Sequence, residues 1–439
     1  LSLRLYTILV RLLLPLAVLR LRWRALRNPA YGRRLGERLG REGPPDQAEV
    51  WVHAVSVGEV QAAAPLIRHL LERHPPLRVL VTTTTPTGAE RLALLFGERV
   101  AHRWTPFDLP EILARFLAGV RPRLILVMET EIWPNLLAES ARLGIPVMLA
   151  NARLSERSAR GYRRLQPLTG ETLRRFDLIA AQAEPDARRF VALGADPARV
   201  TVAGNIKFDQ RLPADLQDRA EAMRRLWGPG RPVWVAASTH EGEDEPVLAA
   251  HRLVLAAVPD ALLVLVPRHP ERFERVAALA VREGFALVRR SARTPCTAQT
   301  RVFLGDSMGE LGVLLAAADA AFVGGSLVPI GGHNLLEAAA VGVPAATGPH
   351  TFNFAAIVAL LVAEGGAVQV RDPAELGGLM ASWLADAALR ARIGEQGRRV
   401  VEQNRGALER LIAPVEARLA AAGLGDPAAR PEADPPQQR

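Results

Sequence analysis

The sequence predicts an α/β protein with two doubly wound domains facing a cleft, preceded by a basic, membrane-associating helix. Three observations predict it. Short, nearly continuous apolar runs alternate with longer amphipathic ones, the pattern of a parallel sheet covered on both faces. The alternation occurs twice, on either side of a polar junction near residue 209. At 439 residues, 49% of them hydrophobic, the chain is too long for one compact core and apolar enough for two.

The first element is residues 1–43, where ten arginines face only Glu37 and Glu42, a surplus of eight within a net charge of +9. A basic footprint beside an apolar stretch suits an anionic membrane surface better than a nucleic acid, with a solvated basic tail as the plainer alternative. The apolar stretch, Leu5 to Leu19, is interrupted by Arg11 and Pro15 and is shorter than the roughly 20 residues that span a bilayer comfortably. No small-residue cleavage site follows it, so an interfacial helix is expected rather than a removed signal peptide, with a tilted span left open. The lone cysteine, Cys296, excludes an internal disulfide and any thiolate-cluster metal site.

Residues 44–208 form the first expected domain, with strands at 50–57, 77–85, 123–130, 145–152 and 178–182. Residues 209–419 form the second, with strands at 232–239, 261–269, 285–290, 301–306, 320–325 and 343–349. The tail 420–439 is rich in alanine, proline and charge and is expected to be disordered. In such folds ligands gather beyond the carboxyl ends of the strands.

The motifs lie there. In HAVSVGEV, Glu59 opens a helix, where the dipole favours its ionised form; it reads equally as a proton acceptor or as a plain cap. In VMETEIWPN, Glu129 and Glu131 end a buried strand and alternation puts them on one face, which suits an acidic metal-binding pair or a site-organising one. Lys207 in GNIKFD is the only lysine; all 54 other Lys/Arg cations are arginine, which marks a place that needs a compact ammonium. In the second domain, Arg268 and His269 follow one strand, and Met308, Gly309 and Glu310 precede a helix. The run from Gly324 to His350 supplies strand, glycine loop and helix, with Asn334, Leu335 and Leu336 at the helix start and Glu337 positioned to accept hydrogen bonds from a ribose. A surface cation at Arg268, a core side chain at Met308 and a tight turn at the glycines are the plainer alternatives.

Taken in order, SVGE, METEIWPN, NARLSERS, GNIKFD, PRHPERF, GDSMGE and GGHNLLE resemble the bacterial Kdo (3-deoxy-D-manno-octulosonic acid) transferases, from about Tyr6 to beyond residue 400. The resemblance implies two Rossmann-like domains of the GT-B glycosyltransferase type, with the acceptor domain first and the nucleotide-sugar domain second. It implies inverting transfer of Kdo from CMP-Kdo to a tetra-acylated lipid A precursor (lipid IVA), in lipopolysaccharide synthesis at the cytoplasmic face of the inner membrane. It assigns Glu59 as proton acceptor and Glu129 and Lys207 as transition-state supports. CMP contacts fall on Arg268, His269, Met308, Gly309, Glu310, Asn334, Leu335, Leu336 and Glu337. No metal, cofactor or nucleic acid is expected. Competing readings are a UDP-sugar transferase or epimerase of the same fold, and a non-catalytic membrane adapter.

Overall fold

Apolar runs become strands, and alternate side chains along each strand enter cores on opposite faces of the sheet. The computed structural model describes residues 1–41, 47–209 and 212–424. They form two compact units, one from Leu1 to Asp209 rejoined by the chain from Gly406 onward, the other from the stretch between.

The first unit contains β1 (Val50–His53), β2 (Val79–Thr83), β3 (Ala101–Trp104), β4 (Leu124–Met128), β5 (Val147–Ala152), β6 (Leu178–Ala181) and β7 (Val200–Val202). All are parallel, in the order β3-β2-β1-β4-β5-β6-β7. Val50, Val52, Val79, Leu124 and Leu126 pack on one face with Leu66, Ile67 and Leu70 of the helix Val57–Arg73. Trp51, Leu80, Ile125 and Val127 pack on the other with Phe116, Phe176 and Phe190. Burial on both faces explains why these strands read as unbroken apolar runs. The chain turns to β2 on one side of β1 and continues through β4 on the other, so the topological switch point lies between β1 and β4.

The second unit repeats the plan with β8 (Val233–Thr239), β9 (Leu262–Pro267), β10 (Leu287–Arg289), β11 (Val302–Leu304), β12 (Ala320–Val323), β13 (Ala345–Thr347) and β14 (Ala367–Gln369). Its order is β10-β11-β9-β8-β12-β13-β14, again all parallel. Here the switch point lies between β8 and β12.

The expected class of two parallel-sheet α/β domains is what forms, with three strands beyond the expected set, β3, β7 and β14. The last helix, Ala407–Ala421, begins within the stretch expected in the second domain, which runs to residue 419, but packs in the first unit. Leu411, Val415 and Leu419, one stripe at four-residue spacing, join the core with Leu66 and Leu70. Each fully buried side chain of this kind contributes roughly 1.5–3 kcal/mol, enough to fix where the helix docks. Ala420 and Ala421 close that helix; the expectation of disorder for the tail falls, from residue 425 on, outside the described residues.

The N-terminal helix, Leu3–Arg27, has no buried residue, and Leu12, Leu16, Leu19 and Leu26 are exposed. Tyr6 donates to Asp108 Oδ2 (2.8 Å), Thr7 donates to Asn135 Oδ1 (2.8 Å), and Arg11 pairs with Glu111 (2.8 Å), so the helix is tied to the first unit along one side. Among the described residues no helix is long and apolar enough to cross a membrane.

Candidate active site

In the first unit the chain leaves β1 and enters the helix Val57–Arg73 through Ser56, whose Oγ accepts from the Glu59 amide (3.4 Å). Glu59 answers by accepting from the Val55 amide at Oε2 (2.6 Å) and the Ser56 hydroxyl at Oε1 (3.3 Å). The arrangement is a capping box displaced by one residue, since Glu59 accepts from the amide of Val55 rather than from that of the N-cap Ser56, and it ties Glu59 to the start of its helix. Its electrostatics differ from the expectation. Burial, then Glu131, then Glu129 push its carboxyl up to about 8, against the Val55 and Ser56 hydrogen bonds that lower it. The dipole's preference for the ionised form is outweighed by desolvation and two neighbouring acids.

Those acids come from the turn after β4. The strand ends at Met128, and Glu129 takes a left-handed conformation (φ 55°), a strained choice for a side chain of its size. Strand alternation therefore does not govern Glu129 and Glu131; the turn gathers them. Glu129 is only 4% exposed and is held by two cations. Lys207 Nζ lies 2.8 Å from Oε1, and Arg153 Nε lies 2.9 Å from Oε2. Glu131 accepts from Trp133 Nε1 (2.7 Å), and burial raises its pKa.

The lysine is set by the segment after β7. Asn205 Oδ1 accepts from the Lys207 amide (3.0 Å), and buried Asn151, also left-handed at φ 53°, accepts from the Ile206 amide (3.2 Å). The structure thus brings together Glu59, Glu129, Glu131 and Lys207 in one unit, with Glu59 and Glu129 at the carboxyl ends of the adjacent strands β1 and β4. It adds Arg153 and Asn151, which lie in the NARLSERS motif but were not singled out as site residues.

In the second unit, Arg268 and His269 follow β9, and the Arg268 amide donates to Thr239 O (3.0 Å). His240, just past β8, meets His333 edge to edge, with ring planes 14° apart, centroids 5.0 Å apart and Nε2 atoms 2.8 Å apart. The His269 ring meets His240 edge-on at 5.3 Å. Burial, then His240, Arg268 and His269, push His333 down to about 4, and burial with His269 lowers His240. Beneath them the fully buried Glu243 accepts from four amides: Gly325 (2.6 Å), His240 (2.8 Å), Ser326 (2.9 Å) and Leu327 (2.9 Å). His240, Glu243 and His333 are absent from the sequence-based set; the THEGED run directly after a buried strand was the available signal.

The remaining expected nucleotide contacts are dispersed along loops of this unit. Glu310 immediately precedes the helix Leu311–Ala316, and its carboxylate is bound by Arg290 (2.9 and 3.1 Å) and Ser307 (2.5 Å) rather than capping the helix. Burial works against it, but those partners hold its carboxyl below the ordinary range. Gly309 has φ 80° and Met308 is exposed. The glycine-loop helix is short, Leu336–Ala340, with Asn334 Oδ1 accepting from the Leu336 amide (3.1 Å). Leu335 and Leu336 are fully buried, which makes them part of the core beneath the loop, and Glu337 sits in the first turn. Among the described residues no group of three or more His, Cys, Asp or Glu is arranged to hold a metal.

Residues 33–210 match the family described as 3-deoxy-D-manno-octulosonic-acid transferase (kdotransferase), and residues 234–400 match glycosyl transferases group 1. The chain is 44% identical over 412 residues to the 3-deoxy-D-manno-octulosonic acid transferase of Haemophilus influenzae, covering 93% of this chain and 96% of that protein. It is 40% identical over 435 residues to the Bordetella pertussis protein of the same description, covering 94% and 98%. Among solved structures, UDP-GlcNAc 2-epimerase from Neisseria meningitidis bound to UDP-GlcNAc is 15% identical, with a TM-score of 0.52 over 84% of this chain and 99% of that one. The last likeness concerns the fold alone.

Proposed function

The chain belongs to the 3-deoxy-D-manno-octulosonic acid transferase family, glycosyltransferases of lipopolysaccharide synthesis, and we propose that it moves Kdo from CMP-Kdo to a tetra-acylated lipid A precursor with inversion. The observation that carries the residue assignment is the meeting of Glu59 with the Glu129–Lys207 ion pair at the switch point of the first sheet.

Glu59 accepts the proton of the attacking primary hydroxyl as its oxygen bonds to the anomeric carbon. The bond from that carbon to the phosphate oxygen breaks, and CMP departs with the electron pair on the opposite face. Kdo carries a carboxylate on the anomeric carbon and no neighbouring hydroxyl, so positive charge develops beside an anion. Glu129, fixed by Lys207 and Arg153, supports that charge, and Lys207 is close enough to the acid to answer the sugar's own carboxylate. Both Glu129 oxygens are already matched to cations, which supports transfer without a bound metal. Arg268, His269, the 308–310 turn and the 334–337 segment bind CMP, with Glu337 accepting hydrogen bonds from the ribose.

The N-terminal helix lies on the anionic cytoplasmic face of the inner membrane, its exposed leucines in the interface and its arginines at the headgroups. The donor is tested by inhibition of transfer: CMP competes with CMP-Kdo and UDP does not. Equal inhibition by UDP would overturn the donor assignment.

A further inference from the structure

We propose that His240 and His333 form a paired-imidazole seat for the donor's phosphate and stabilise it as it leaves; this rests on the reading of the second unit as the CMP-sugar binder. His240 directly follows β8 and His333 lies in the loop after β12, the two strands that flank the switch point of the second sheet, and His269 follows the neighbouring β9. That crevice is where doubly wound sheets hold their ligands.

The pair is built rather than accidental. Glu243 gathers the amides of His240, Gly325, Ser326 and Leu327 on one carboxylate, which fixes the β8 turn against the β12 loop. The Gly332 amide closes that loop onto Gly325 O (2.7 Å), directly before His333. Gly325 is required beneath the rings. A Cβ there would stand 2.9 Å from two His333 ring atoms and 3.5 Å from His240 Cδ2, and its φ is 67°.

The chemistry of the pair suits an anion. With Nε2 atoms 2.8 Å apart, one hydrogen lies between the rings. Whichever ring accepts it, that ring carries its own proton on Nδ1, a donor that an anion can accept from. The charged and titratable groups around the rings are His269, Arg268, Arg272 and Glu243, and Glu243 is spent on backbone amides. The low His333 pKa registers burial together with a positive local potential, which a phosphate relieves. The leaving phosphate gains negative charge as its bond to the sugar breaks, so the same donors act more strongly in the transition state than in the ground state.

The test measures binding of CMP and of cytidine by calorimetry, and Kdo transfer, for wild type, His240→Ala and His333→Ala. One hydrogen bond to an ionised phosphate corresponds to a roughly tenfold to hundredfold effect. CMP affinity is expected to fall at least about tenfold in each variant, with cytidine binding unchanged and kcat lowered by about as much or more. His240→Gln and His333→Gln keep side-chain bulk, so a misfolded alanine variant does not decide the matter; they show a smaller loss, again confined to CMP. CMP affinity within about twofold of wild type in folded variants overturns the assignment, as does equal weakening of CMP and cytidine. Wild type that fails to bind CMP overturns the donor reading and this seat with it, whereas normal wild-type binding with indifferent variants overturns the seat alone.

Discussion

If Glu59 is the proton acceptor, the pH dependence of transfer follows from its surroundings. Its carboxyl is pushed up to about 8 from an ordinary 4.5 by burial, Glu131 and Glu129. At pH 7 about a tenth of the free enzyme then carries the ionised base. The value of kcat/KM should rise about tenfold per pH unit below 8 and level off above it, because this parameter reports the free enzyme. Glu131→Gln removes the neighbouring carboxylate that acts more strongly on Glu59 and should move the rising limb to lower pH. Folding carries the same signature. Between pH 4.5 and 8 the folded protein keeps a proton that the unfolded chain releases, so stability falls as pH rises. The slope is about 1.4 kcal/mol per pH unit, and about 5 kcal/mol over the whole window is the outer bound. Glu59→Gln lacks this component. Initial rates at low CMP-Kdo from about pH 5.5 to 9 and urea unfolding over the same range measure both. A rate limb centred below pH 6 and unmoved by Glu131→Gln, with a wild-type-to-Gln stability difference independent of pH, would refute the reasoning.

Four further outcomes are expected. Lys207→Met leaves buried Glu129 with Arg153 alone; since one cation remains, stability should fall by about 1–3 kcal/mol in urea titrations and transfer by more than about a hundredfold in initial rates. Lys207→Arg should not restore transfer, since a planar guanidinium cannot reproduce the single 2.8 Å contact. Glu243→Leu orphans four amides, each worth about 1–3 kcal/mol when buried, and should lower the unfolding transition of the second unit in calorimetry while sparing that of the first. Leu12→Asp with Leu16→Asp places charge on the exposed face of the N-terminal helix and should abolish sedimentation with anionic vesicles, leaving the fold intact by circular dichroism.

The sheets were legible because their central strands are buried on both faces, as Val50–His53 and Leu262–Pro267 show. The strands that escaped notice, β3, β7 and β14, are edge strands of three or four residues. An edge has only one paired neighbour, and sequences such as VTV and AVQ carry too little apolar signal to stand out from a loop. The amphipathic stripe of the last helix was readable, but periodicity does not say which of two cores receives it. Glu59, Glu129 and Lys207 were visible as residues from motif resemblance. Their electrostatics were not, since the left-handed turn at Glu129 and the arrival of Arg153 from beyond β5 depend on the folded chain. His240 and His333 lie 93 residues apart in sequence, and nothing local announces their contact.

The account is tested most directly by transfer of labelled Kdo from CMP-Kdo to a tetra-acylated lipid A precursor, in detergent with excess EDTA, by wild type and by Glu59→Gln. Wild type should transfer Kdo at full rate in EDTA, and the variant should be slower by about a hundredfold to ten-thousandfold while remaining folded. A folded wild type that transfers nothing, or a Glu59→Gln variant that keeps pace with it, would contradict the account.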